Sequence, residues 1–260
     1  MLLSTRKISS LNWKELAANR LVMFHSRFRF LLLSIHVTVF GIAAAMSLQA
    51  QTTGCKPAPE GRAEAEIKMI SQFVNEIVNE SFPELCGQDF KIGLFKSDSV
   101  FFKTRFSFSR LLTFRKIGVV MDVNPDVFQS GPSDAAIKAI LAHELAHADF
   151  YRRNGGFKAF RMIGLLGGKS LAKFERRADL TAIEKGYGLG LKEFREWLYK
   201  NIPSNNINEK KRNYFTPEEI DLLITANKDV PGILKNLRKN IPLSLTETIA
   251  AVNKFKTGYR

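Results

Sequence analysis

Residues 133–153 have the sequence SDAAIKAILAHELAHADFYRR, and this stretch decides the fold around it. Ser133 is a good N-cap, and apolar residues follow it at the three- and four-residue spacing of a helix. No Gly or Pro interrupts the run. Residues four apart share one face of a helix, so the imidazoles of His143 and His147 can reach the same ion. The stretch therefore predicts a long helix with a buried apolar side and a pair of metal ligands.

Glu144 lies about 100° around this helix from His143, because each residue of an α-helix turns the chain by that angle. There its carboxylate can touch a metal-bound water without ligating the metal. A zinc ion lowers the pKa of such a water towards neutrality, and a neighbouring carboxylate can take its proton and deliver it to a leaving amine. The HExxH pattern thus indicates a hydrolytic metal site.

A second motif, Glu175-Arg-Arg-Ala-Asp179, begins 28 positions after His147. It belongs to a helical run over about residues 169–185, which Gly186 is predicted to close as a C-cap. A catalytic zinc ion usually has three protein ligands and one open position, and Glu175 can supply the third ligand. Asp179, one turn further on, can accept a hydrogen bond from the free ring nitrogen of a ligand histidine.

The two motifs together resemble those of the gluzincin metallopeptidases, in particular the group of the CAAX prenyl protease, the HtpX-type membrane proteases and their periplasmic relatives. The similarity covers roughly residues 124–188. It implies a zincin-like fold and one zinc ion. Residue by residue, it implies His143, His147 and Glu175 as zinc ligands, Glu144 as catalytic base and Asp179 as supporting carboxylate. The short gap between the motifs has no room for the membrane hairpin of the integral members, so a compact domain is expected.

The rest of the chain predicts a mainly helical α+β fold. A helix is expected over about residues 63–80, and residues 92–94, 102–109 and 117–123 have the alternation of strands. These strands predict a small antiparallel sheet just before the HExxH helix. The resemblance implies that an edge strand binds extended substrate, while an ordinary half-buried sheet fits the pattern equally well.

The C-terminal third is predicted to be helical. Thr216-Pro-Glu-Glu219 combines an N-cap, a proline at the first helical position and a glutamate three residues after the cap. Ser244 and Glu247 repeat the capping pattern. The apolar residues of the gap between the two motifs, within residues 157–166, fit a mobile flap or a membrane-touching loop near the cleft. Ordinary core packing is the favoured interpretation, because apolar residues are usually buried.

Residues 1–50 are predicted to be a signal peptide or membrane anchor, followed by a peptidase domain over residues 51–260. Six Lys and Arg residues precede an apolar stretch at residues 30–48, and Ala50 offers a small residue for cleavage. A start at Met23 would give a shorter basic segment. Whether cleaved or retained, this arrangement predicts a catalytic domain outside the cytoplasm, either periplasmic or membrane-anchored.

The two cysteines leave two alternatives open. Thr53-Gly54-Cys55 is a weak match to a lipidation site. Alternatively, Cys55 and Cys86 form a disulfide in an oxidising compartment. Neither cysteine lies near the two motifs in sequence, so neither is predicted to bind the metal.

The net charge of +14 bounds the partners. A basic exported domain can favour an anionic membrane surface, although a solvated basic surface is the simpler interpretation. Nucleic acid is excluded as a partner, because export is predicted and no stacking-aromatic motif is present. The sequence leaves the oligomeric state open.

These observations predict an exported zinc-dependent endopeptidase that acts on proteins or peptides. The substrate and cleavage preference stay open. The residue that stabilises the oxyanion also stays open among Tyr187, Tyr214 and an arginine such as Arg176. The alternative is a non-catalytic, zinc-stabilised binding or assembly factor on a peptidase scaffold. The intact Glu144 favours the enzyme, because a purely structural zinc site does not need that carboxylate.

Overall fold

The computed structural model describes residues 60–107, 118–129, 131–154 and 168–258. The chain divides into two units, Met1–Pro57 and Ala58–Arg260, and all described residues belong to the second unit. Within them, α-helices occupy Glu60–Ser81 (α1), Asp134–Asn154 (α2), Lys169–Ala182 (α3), Gly188–Asn201 (α4), Ser204–Asn213 (α5), Pro217–Asp229 (α6), Ile233–Leu237 (α7) and Leu245–Gly258 (α8). Strands occupy Phe90–Leu94 (β1), Phe102–Ser107 (β2) and Gly118–Val123 (β3). The prediction of a mainly helical α+β fold is confirmed.

The sheet has the order β1-β3-β2 and is mixed, so the prediction of a purely antiparallel sheet is wrong. β2 runs antiparallel to β3, but β1 runs parallel to it. β3 takes the centre because Val119, Met121 and Val123 are all buried, and a buried strand needs hydrogen-bond partners on both sides. Alternation of apolar residues reveals a strand, but it does not reveal the partner strand or its direction.

Helix α2 runs through the middle of the domain and contacts α1, α3, α4 and β2. Its N-terminus is capped as expected, since the Ser133 hydroxyl accepts a hydrogen bond from the backbone N–H of Ala136 at 3.2 Å. Every residue from Ala139 to Asp149 is buried. α4 crosses α2 closely at Gly190, where a Cβ atom would collide with the carbonyl oxygen of Ala135. The HExxH residues therefore lie inside the domain.

Helices α3 and α4 are separated by a kink within Ile183–Tyr187, where Gly186 has a non-helical backbone conformation, so the prediction that Gly186 ends the helical run is confirmed. Gly186 adopts φ of +95°, which costs glycine little because it has no Cβ atom, and the chain bends there. Helix α4 begins beyond the kink, at Gly188, and buries the side chains of Leu191, Phe194 and Leu198.

The C-terminal helices begin where the sequence predicts. Thr216 and Glu219 form a complete capping box at the start of α6. Ser244 caps α8 by accepting a hydrogen bond from the backbone N–H of Glu247 at 3.2 Å. α6 packs against α4, α7 and α8. These helices thus form one packed layer beside the metal-site helices.

Several sequence predictions fall outside the described residues, namely the leader with its apolar stretch at residues 30–48, Cys55, and the apolar gap at residues 157–166. Cys86 is described and is an exposed, free thiol. In the described part of the chain, no helix combines the length and the apolar character that crossing a membrane requires.

Candidate metal centre

Helix α2 aims both histidines of the HExxH motif at one point. His143 Nε2 and His147 Nε2 lie 3.1 Å apart, with the two rings nearly perpendicular. Helix α3 brings in Glu175, whose Oε2 lies 3.2 Å from each of these nitrogens. The structure thus brings together the three residues predicted as ligands, and this cluster could hold a metal ion.

The triangle of donor atoms fits a tetrahedral ion. Four ligands at about 2.0 Å from a central ion lie roughly 3.3 Å from one another. The observed separations of 3.1–3.2 Å are close to that value. Two imidazole nitrogens and one carboxylate oxygen are also a donor set that zinc accepts, with its fourth position left open.

In the metal-free protein, attraction between opposite charges holds the ligand cluster together. Burial alone would lower the pKa of His143, but Asp179 and Glu175 outweigh it and raise the pKa to about 10. Burial alone would raise the pKa of Glu175, but His147 and His143 lower it well below its usual range. The metal-free cluster therefore retains a proton on a histidine, and an incoming metal ion must displace that proton.

Asp179 fixes the orientation of His143 by contacting its Nδ1, the ring nitrogen that points away from the ligand cluster. Its Oδ1 lies 2.7 Å from His143 Nδ1 and accepts a second hydrogen bond from Arg195 Nη2 at 2.9 Å. Its Oδ2 accepts the backbone N–H of Phe215 at 3.0 Å. Because the carboxylate faces Nδ1, that nitrogen carries the proton and Nε2 is left to face the ligand cluster.

Neighbouring residues stabilise the ionised form of the Asp179 carboxylate. The carboxylate is completely buried. Burial alone would raise its pKa, but Arg195 and His143 outweigh it and lower the pKa. Asp179 therefore stays ionised and ties together α2, α3, α4 and the start of α6.

Phe174 supports the second histidine. Its ring stacks on the ring of His147 at a centroid distance of 4.5 Å and also contacts Phe150 and Tyr151. This apolar packing limits the rotation of the imidazole. One face of the ligand cluster is therefore covered by aromatic rings.

Glu144 and His143 line a small cleft, which we call the Glu144 cleft. Its apolar wall comes from the start of β2 and from α4, through Phe101, Phe102, Phe194 and Leu198 among others. Glu144 is only 8% exposed and is absent from the ligand cluster formed by the described residues. Its carboxylate therefore borders the space in which a substrate could lie, next to one metal ligand.

Tyr214 is the only one of the three proposed oxyanion stabilisers that lines the Glu144 cleft. Its ring contacts His143 at a centroid distance of 5.9 Å. The hydroxyl of Tyr187 instead pairs with Ser81 at 3.1 Å. Arg176 is buried against Glu219 at 2.8 Å. The last two residues contribute to packing between elements, away from the cleft.

Two functional candidates escape a reading of motifs alone, namely Arg195 and Lys210, which both line the Glu144 cleft. Arg195 had a usable signal, since it follows Phe194 and precedes Leu198 on an apolar helix face, where a charged residue needs a partner. Lys210 had none, because Glu209, Lys211 and Arg212 surround it in sequence and make it resemble an ordinary surface residue.

Comparisons with protein-family models, with curated proteins and with solved structures find no match for this chain. The class of site is therefore defined by its own geometry: a buried cluster of two histidines and one glutamate that could hold a metal ion, beside a cleft that contains a further carboxylate.

Proposed function

We propose that this protein is a zinc-dependent endopeptidase with a zincin-like catalytic domain. The observation that carries the proposal is the convergence of His143, His147 and Glu175 at 3.1–3.2 Å beside the Glu144 cleft. Three protein ligands leave a tetrahedral ion one open position, as in catalytic zinc sites, whereas structural zinc sites are closed by four ligands. The resemblance of the HELAH and ERRAD motifs to the gluzincin metallopeptidases supports the same reaction.

The residues of the site divide the work of hydrolysis. A zinc ion held by His143, His147 and Glu175 would supply Lewis acidity for a peptide carbonyl and a water molecule. Glu144 accepts a proton from the attacking water at its carboxylate and then delivers it to the leaving amine. Asp179 keeps His143 in the tautomer whose Nε2 can ligate. The apolar wall of the cleft holds substrate side chains and excludes water.

Tyr214 is proposed to stabilise the oxyanion. No hydrogen-bond partner of its hydroxyl is found within the described residues, so the group is available to a substrate oxygen. Burial, together with the charge of Glu175, raises its pKa well above the usual value. The phenol therefore keeps its proton and can donate it in a hydrogen bond to developing negative charge.

We also propose that the domain works outside the cytoplasm on protein or peptide substrates. The support is the order of six basic residues followed by the apolar stretch at residues 30–48. Release into the periplasm and anchoring at the membrane are both compatible with it. Protease protection in intact cells tests the export, and a catalytic domain protected in the cytoplasm would overturn it.

Metal analysis and proteolysis of the purified domain test the enzymatic proposal together. The domain should bind one zinc ion and cleave casein or peptides, and a chelator should abolish cleavage. Glu144→Gln should abolish cleavage while zinc stays bound, because Glu144 carries a proton and is not a ligand. Glu64→Gln, on the exposed side of α1, is the matched control and should keep both properties.

Bound zinc without cleavage by either the wild type or the Glu64→Gln control would favour the non-catalytic binding factor. Absence of zinc binding would refute both candidates.

A further inference from the structure

The Glu144 cleft contains a lysine for which the proposed hydrolysis has no use. Lys210 lies in the last turn of α5, is half-buried, and lines the cleft together with His143 and Glu144. Its Nζ lies 5.7 Å from the centroid of the Tyr214 ring. The lysine thus places a positive charge beside the space in which a scissile bond would lie.

This charge has no anionic partner in the described part of the chain. No carboxylate lies within 4.0 Å of Lys210 Nζ there, and its ammonium group lies over the Tyr214 ring instead. Glu209 and Glu175 attract it from a distance, but burial and the neighbouring Arg195 outweigh them and lower its pKa. Because burial partly removes water from this side chain, an arriving anion would stabilise the charged form of its ammonium group.

Within the described residues, two further donors on the same wall lack acceptors. Arg195 is 2% exposed, and no group there accepts from its Nε, although its Nη2 donates to Asp179. The described residues also contain no hydrogen-bond partner for the Tyr214 hydroxyl. This wall of the cleft therefore carries a guanidinium, a phenol and an ammonium group, a combination that suits a carboxylate.

The described acidic residues of the site do not accept hydrogen bonds from Lys210, from Arg195 Nε or from the Tyr214 hydroxyl. Glu175 faces the two histidines, and Asp179 is fully occupied by three donors. Glu144 lines the cleft without lying in salt-bridge contact with Lys210. These carboxylates are occupied by the metal centre or by the proton transfer. The donors around Lys210 are therefore available to an acceptor on a bound ligand.

We propose that Lys210 binds a carboxylate of the peptide substrate next to the scissile bond, and so selects for it. The carboxylate can belong to an Asp or Glu side chain or to the C-terminus of the peptide, since the recognition chemistry is the same. This inference rests on the proposed peptidase function and names the substrate class of that site.

Matched peptides test the selection. Fluorogenic peptides carry Glu or Gln at each position flanking the scissile bond, and each is made with a free or an amidated C-terminus. Wild-type protein should cleave one class of carboxylate peptide with kcat/KM about tenfold higher than its neutral partner, as a charge-assisted hydrogen bond provides. The position at which the preference appears distinguishes a side-chain carboxylate from a C-terminal one.

Three variants connect the preference to this lysine. Lys210→Met should abolish it, and Lys210→Arg should retain it, because arginine also donates to carboxylates. Arg212→Met removes a positive charge from the exposed side of the same helix and should leave the preference unchanged. Thermal unfolding of each variant shows whether the fold is preserved. Lys210→Gln, which removes the charge but keeps a polar side chain, replaces Lys210→Met if that variant does not fold, and it should likewise abolish the preference.

Peptide binding to the inactive Glu144→Gln protein distinguishes a failure of the proposed Lys210 role from a failure of the proposed peptidase function. In zinc-loaded Glu144→Gln, the same carboxylate peptide should bind more weakly by about tenfold when Lys210→Met is added. Equal cleavage of Glu, Gln, free and amidated peptides by wild-type protein would overturn the role of Lys210 while leaving the peptidase intact. Cleavage of none of them, with no binding difference, would refute both.

Discussion

Asp179→Asn is the perturbation that most directly tests the architecture of the metal centre. In the native protein, Oδ1 faces two donors, His143 Nδ1 at 2.7 Å and Arg195 Nη2 at 2.9 Å, and Oδ2 faces the backbone N–H of Phe215 at 3.0 Å. Asparagine has the same shape but offers one acceptor and one NH₂ donor. It therefore cannot satisfy all three donors in either orientation of its amide.

The two orientations fail in different ways. If the amide oxygen takes the position of Oδ1, its NH₂ group meets the N–H of Phe215, and a buried donor is left unsatisfied at about 1–3 kcal/mol. If the amide is flipped, its NH₂ group faces His143 Nδ1 and drives the proton of the imidazole to Nε2, which then cannot ligate. In both orientations Arg195, 2% exposed, loses its buried counter-charge, a change that typically costs about 3–5 kcal/mol.

We expect Asp179→Asn to lower the free energy of unfolding in the presence of chelator by about 3–5 kcal/mol. We also expect it to weaken zinc binding by about 10–100-fold. Urea unfolding measures the first quantity, and competition with a chromogenic chelator measures the second. Asp98→Asn, an exposed aspartate, is the matched control and should change neither. A variant with native zinc affinity and stability would refute the assigned role of the carboxylate.

Three shorter predictions follow from the same site and its packing. Glu144→Gln should keep one zinc ion per chain by metal analysis, and loss of the ion would mean that Glu144 is a ligand. In the metal-free protein, the raised pKa of His143 contributes stability that is complete below pH 6.5 and is lost as the pH rises to about 10. The free energy of unfolding should therefore fall across this range, and a flat profile would contradict the charged cluster. Gly190→Ala should cost about 1–3 kcal/mol, because its methyl group meets the backbone of Ala135 where α4 crosses α2. Exposed Leu189→Ala is its control in thermal unfolding, and equal melting temperatures of the two variants would refute the close crossing.

The helical frame of the site could be predicted because its signals are local. The cap at Ser133, the four-residue spacing of the histidines and the capping box at Thr216 each act within one or two turns. The four-residue spacing of Glu175 and Asp179 likewise places them on one face of α3. The structure brings all four side chains to the site because these helices form where the patterns predict.

The parts that sequence reasoning missed depend on contacts between distant segments. The parallel pairing of β1 with β3 is such a contact. So is the association of Asp179 with Arg195 and with the backbone of Phe215. Lys210 was missed because only the folded neighbours reveal that its charge faces a cleft.

The buried salt bridge of Arg176 and Glu219 has a consequence for chains that lack the C-terminal segment. Arg176 also donates to the backbone oxygens of Lys211 and Pro242, and Glu219 accepts from Thr248. We therefore expect α3 to be held fully in place only once the C-terminal segment that contains Pro242 and Thr248 is present. A chain cut before Pro242 keeps both histidines, Glu175 and Phe215, but it lacks two of these contacts. Such a chain should bind a metal ion more weakly than the full-length protein.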